Sequence, residues 1–133
     1  MVSRKLRFIK PSKEELLRMK SAHPKLNSKY LRDADSLFKR GDYVQASEKY
    51  WGAFAQMIKT VAAERGIKLG EHRSIIEFVE ELSKEHPDLN LADALAKAKC
   101  LHTNFYEDDL PHEVVASYVN TVKKAIIELN NLP

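Results

Sequence analysis

Residues 42–65 constrain this chain more than any other stretch, because they read as one long helix with apolar residues on two adjoining faces. Tyr43, Ala46, Tyr50, Phe54, Met57 and Val61 follow three-and-four spacing along one stripe, and Val44, Trp51, Ala55, Ile58 and Ala62 form a second beside it. A helix with two apolar stripes needs neighbours on two sides, which makes it the centre of a bundle. Gly52 lies between the stripes, where glycine costs about 1 kcal/mol relative to alanine. The expectation is that another helix approaches the backbone there.

The other helices follow from start and stop signals. Ser12 and Glu15 form a capping box that opens a helix over residues 12–23, closed by Pro24. Asn27 or Ser28 caps the next, with Tyr30, Leu31, Ala34, Leu37 and Phe38 on its inner face. Lys39 and Arg40 favour its carboxyl end, Gly41 supplies a left-handed stop, and Asp42 with Gln45 opens the central helix, so the two form a tight antiparallel hairpin. Gly66 closes the central helix, and Ile67 and Leu69 tuck their loop beneath the bundle.

A helix over residues 72–85 is expected to bury Ile75, Ile76, Val79 and Leu82 and to expose Glu77, Glu80, Glu81 and Lys84. Asn90 caps the following one, whose inner stripe is Leu91, Ala94, Leu95, Ala98, Leu101 and Phe105. Pro111 starts the last, with Val115, Tyr118, Val119, Val122, Ile126 and Leu129 inward. Nothing alternates with period two. The fold class is therefore all-α: an antiparallel bundle of five to six helices around the long helix at 42–65.

Composition narrows the function classes. A chain of 133 residues, 44% hydrophobic and 31% charged, suits one domain with a single core. Charges interrupt every apolar run well short of the roughly 18 residues a membrane span requires, so no membrane association is expected. The first residues lack the apolar centre of a secretory signal, which points to the cytoplasm. Cys100 is the only cysteine, which excludes an intrachain disulfide and a cysteine zinc site; it reads as a buried thiol. No cofactor is implied.

Charge divides the chain. Residues 1–26 hold eight Lys and Arg against two acids, whereas residues 27–133 hold fourteen against seventeen. Residues 1–10 read as a basic arm, and residues 11–133 as the single bundle domain. Arg4, Lys5, Arg7 and Lys10 in the arm are the candidates for contact with a nucleic-acid backbone, although a solvated basic terminus is the preferred reading.

Three blocks carry a resemblance. Tyr50-Trp51-Gly52-Ala53 continuing to Ile58-Lys59, His72 at a helix start, and Leu101-His102-Thr103-Asn104-Phe105-Tyr106-Glu107 together resemble the archaeal PaREP family of small helical proteins, over residues 30–130. The resemblance implies a fold similar to the HEPN superfamily. Its helical bundles often dimerise, and they include metal-independent ribonucleases and toxin–antitoxin partners of nucleotidyltransferases. The ribonuclease members carry Arg, four to six residues, then His. The nearest match here is Lys97 to His102, which departs from that pattern because lysine is a point charge rather than a planar fork for phosphate. Five positions also set the two about 140° apart around a helix.

Each polar candidate has a structural competitor. His102 suits a general acid or base, but a hydrogen-bonded histidine at the edge of the core is preferred, with Asn104, Tyr106 and Glu107 shaping the helix end. His72 at a helix start reads first as packing. His102, Glu107, Asp108, Asp109 and His112 could gather around a divalent cation, but their spacing matches no metal motif and no metal site is assigned. Trp51 could stack on a base but reads first as core. The stretch from Phe38 to Tyr50, with Gly41-Asp42-Tyr43, looks like a tetratricopeptide hairpin; it does not recur, so a repeat array is not expected.

The leading functional expectation is a non-enzymatic, homodimerising protein-interaction module whose protein partner is a nucleotidyltransferase. The alternatives are an RNA-binding protein or metal-independent ribonuclease using His102, and a nucleotide or small-molecule binder lined by Tyr50, His72, His102 and Tyr106.

Overall fold

A computed structural model of the chain describes residues 28–70 and 72–132. The basic arm and the helix expected over residues 12–23 lie outside the described residues. Five helices follow in order: α1 (Ser28–Lys39), α2 (Tyr43–Glu64), α3 (His72–Glu85), α4 (Leu91–Glu107) and α5 (His112–Asn130), with a single 3₁₀ turn at Pro87–Leu89 before α4. Among the described residues there is no sheet.

Two glycines set the corners of α2 by the same geometry. At Gly41, φ +82°, the amide donates to the Phe38 carbonyl at 3.0 Å and the Asp42 amide donates to Leu37 at 3.0 Å. At Gly66, φ +74°, the amide donates to Ala63 at 2.9 Å and the Ile67 amide to Ala62 at 2.9 Å. Both are Schellman stops, in which a residue free of Cβ strain turns the chain and satisfies the last carbonyls. Ile67 then packs on the core, as such a stop favours. The opposite end of α2 starts as expected, with the Asp42 carboxylate accepting from the Gln45 amide at 3.2 Å.

α2 is the axis of the bundle. It packs against α1, α4, α5 and, less extensively, α3. Ala46, Tyr50, Trp51, Ala53, Phe54, Met57, Ile58, Val61, Ala62 and Ala63 are all buried along it, so apolar area is removed from water nearly around its circumference. α4 and α5 pack on each other and on α2, and α3 closes against α4. A fork from the Arg65 guanidinium to the Glu85 carboxylate, at 2.8 and 2.7 Å, ties the end of α2 to the end of α3. Both partners are well exposed, so its contribution is small.

Several expectations are corrected. Among the described residues no helix closes on Gly52: nothing lies within 4 Å of where a Cβ would stand, and the buried small residues are the alanines of α2 instead. Cys100 is exposed, because it lies two residues after Ala98 of the inner stripe, about 200° away around α4. Glu77 is buried and Ile76 only half-buried. From the centre of the stripe of Ile75, Phe78, Val79 and Leu82, Ile76 lies about 110° away and Glu77 about 150° away, so periodicity favours burying Ile76; the packing of the neighbouring helices reverses that order. Phe78 joins that stripe at 2% exposure. Asn90 precedes α4 with a left-handed backbone, φ +56°, and its side chain makes no capping bond.

Candidate functional site

Trp51, His72 and His102 converge where α2, α3 and α4 meet. Glu48 and Trp51 are three residues apart on α2, and His102 and Tyr106 four apart on α4, so each pair shares a helical face. His72 is the first residue of α3. The His102 ring stacks on Trp51 with centroids 5.0 Å apart and planes at 29°. His72 meets Trp51 edge-on at 5.2 Å and His102 edge-on at 5.3 Å. Tyr106 adds a fourth ring, edge-on to His102 at 5.5 Å.

One carboxylate completes the cluster. Glu48 Oε1 lies 2.7 Å from His102 Nδ1. An ionised carboxylate only accepts, so the proton of that bond sits on Nδ1, which leaves Nε2 unengaged. Among the described residues no hydrogen bond reaches Nε2 of His102, the second oxygen of Glu48 or either nitrogen of His72. The site is graded in exposure: Trp51 is buried, the His102 and Glu48 side chains are 24% and 32% exposed, and Tyr106 is 71% exposed. The result is a ringed platform with a rigid base and an accessible rim, able to stack a planar group and accept hydrogen bonds from it.

The other candidate residues lie elsewhere. Asn104 is buried and structural. Its amide nitrogen donates to Ser47 Oγ at 3.2 Å, and its oxygen accepts from the amides of Asp109 and Leu110 at 3.1 and 3.0 Å, which shapes the turn from α4 to α5. Glu107 is exposed at the end of α4, just before that turn, beside Cys100 and Thr103 in a shallow groove. Tyr50 is buried away from the rings and donates to Asp35, which also takes two bonds from Lys123 Nζ at 2.9 and 3.1 Å. Burial, then the Asp35 carboxylate, push the Tyr50 phenol far up. Burial also works to raise Asp35, but the bonds from Tyr50 and Lys123 and the lysine charge outweigh it and hold the carboxyl below its ordinary value.

Lys97 turns towards α5. Its Nζ is 3.0 Å from Asp93 and 3.3 Å from Thr121 and sits over the Tyr118 ring, so it does not join His102. His112 stacks on Tyr43 at 4.2 Å rather than approaching His102. Among the described residues no group of three or more His, Cys, Asp or Glu is arranged to hold a metal ion. Arg4, Lys5, Arg7 and Lys10 lie outside the described residues. Glu48 is the site residue that sequence reasoning missed. Its three-residue spacing from Trp51 was visible, but nothing local announces a histidine 54 residues away.

No helix among the described residues is long and apolar enough to cross a membrane. No curated protein and no solved structure matches the chain. The model of the Archaeal PaREP1/PaREP8 family matches residues 22–126, which contain α1 to α4, the whole ring cluster and most of α5; the chain belongs to that family.

Proposed function

We propose that this chain is a HEPN-like helical recognition module, non-enzymatic, that holds a protein partner at the platform of Trp51, His72, His102 and Tyr106 with Glu48. The observation that carries this reading is the rim itself: a Tyr106 ring that is 71% exposed, beside a carboxylate and an imidazole whose remaining acceptors are unengaged. Exposed rings at Tyr106 and His72 beside a buried Trp51 offer an aromatic surface of the kind that anchors a contact. A cytoplasmic setting, a homodimer and a nucleotidyltransferase partner belong to the same proposal and rest on the family resemblance and the sequence. Affinity capture with tagged wild-type protein and with Tyr106→Ala tests it. Partners held by the wild type and released by the variant support the reading, and identical sets sink it.

A second reading has its own observation. A carboxylate 2.7 Å from Nδ1, a free Nε2 and a second imidazole alongside are the parts of metal-independent RNA cleavage, with His102 as general base. The displacement of Lys97 onto α5 leaves that arrangement without the phosphate-binding cation of the related ribonucleases. Cleavage of single-stranded RNA in chelator, abolished by His102→Ala and unaffected by Lys97→Ala, would put this reading first.

A further inference from the structure

Resting on the recognition reading above, we infer that the platform receives an arginine side chain of the partner polypeptide, its guanidinium lying against Tyr106 and His102 and donating to Glu48. The inference starts from what the five side chains leave unused. Glu48 spends one oxygen on His102 Nδ1 and keeps the other, and a neutral His102 ring offers Nε2 as a second acceptor. Acceptors beside an exposed aromatic face call for a group that is planar, cationic and rich in donors. The guanidinium has five N–H donors in one plane, stacks on rings and forks onto carboxylates; an ammonium is a strongly hydrated point charge with no plane to stack.

The local charge agrees. Glu107, Asp108 and Asp109 follow Tyr106 directly and are all exposed. Residues 27–133 carry fourteen Lys and Arg against seventeen Asp and Glu. Lys49 and Arg73 are the sequence neighbours of Glu48 and His72, so the attraction is local to the carboxylate and the Tyr106 rim. The acidic run opposes the phosphates of a nucleic acid approaching along α4. Among the bases only guanine presents two adjacent donors on its pairing edge to a pair of acceptors, which makes it the competitor to exclude.

Trp51 is the chain's one tryptophan and stacks directly on His102, so its fluorescence reports the site. The full chain is titrated with capped peptides of three arginines spaced by Gly-Ser, with the lysine and citrulline counterparts, and with guanosine monophosphate. The arginine peptide is expected to give a saturable change in Trp51 emission and to bind about tenfold or more tightly than the lysine peptide. Citrulline, planar but uncharged, is expected to fall to the lysine level or below. Glu48→Gln keeps the side chain's shape and an oxygen that can still accept from His102, and Tyr106→Ala removes an exposed ring; each is expected to weaken the arginine peptide by about tenfold while the chain still melts in one cooperative transition. Equal affinity for lysine, or indifference to both substitutions, overturns the inference. A response to guanosine monophosphate without one to arginine overturns it too, while keeping the platform as a recognition site. If no probe perturbs Trp51, the inference and the platform reading fall together.

Discussion

His102 and Asn104 stand two positions apart on α4 and have opposite characters. His102 is partly exposed and keeps one ring nitrogen unengaged, whereas Asn104 is buried with three hydrogen bonds to two other segments. Asn104→Ala should therefore destabilise the fold by about 1–3 kcal/mol, since it leaves the Asp109 and Leu110 amides of the turn without their acceptor. His102→Ala should cost about 1 kcal/mol or less, the scale of a single part-exposed hydrogen bond. Urea unfolding of the two variants would show this order, and a reversed order would move His102 into the structural class. The residue scale also holds a pH response. The folded Asp35 carboxyl lies below its ordinary 3.8, so its contribution is complete above that value and disappears as pH falls through the folded value. Thermal melts of wild type and Asp35→Asn should differ near neutral pH, and the gap should begin to narrow only below about pH 4 and close as pH falls through the folded value. A constant gap would mean that Lys123 and Tyr50 do not act through the carboxylate charge.

Helix ends were the most legible elements. Asp42, Gly41 and Gly66 each do what their residue types imply, because capping depends on a few neighbouring backbone groups. Gly52 was misread. A helix-interior glycine marks either a close approach or a tolerated cost, and only the packing distinguishes them. With nothing near its Cβ position, Gly52→Ala should stabilise the protein by about 0.4–1 kcal/mol. Gly41→Ala at φ +82° should instead destabilise it by about 1–2 kcal/mol. Chemical unfolding of both variants checks the pair. Destabilisation by Gly52→Ala would reveal a neighbour on that face outside the described residues.

Among the described residues the apolar stripes are mostly turned inward, although Tyr30, expected on the inner face of α1, is exposed instead. Buried residues from α1 to α5 join one core, and the large apolar side chains left exposed among the described residues are Tyr30, Tyr106 and Ile127. The homodimer we propose must then be held by a modest patch rather than by a second core, and its affinity should be correspondingly concentration-dependent. Sedimentation over a wide concentration range should show a species of about twice the 15.3 kDa chain mass at the upper end. A single 15.3 kDa species at high micromolar concentration would remove the dimer from the proposal.

What the sequence determined by itself was everything set by short-range periodicity and capping: the all-α class, the span of α2 and α3, the corners at Gly41 and Gly66, and the central position of a helix with two apolar stripes. His72, His102 and Tyr106 were visible as polar or aromatic residues of interest, but not as one site. Their meeting requires that α2, α3 and α4 cross at a common edge, and the Glu48–His102 bond spans 54 positions. The same distance-blindness placed Tyr50 beside them, although consecutive residues Tyr50 and Trp51 point about 100° apart and reach different neighbours. Local sequence dictates which way a helical side chain can point; only the packing of helices far apart in the chain decides what it meets there.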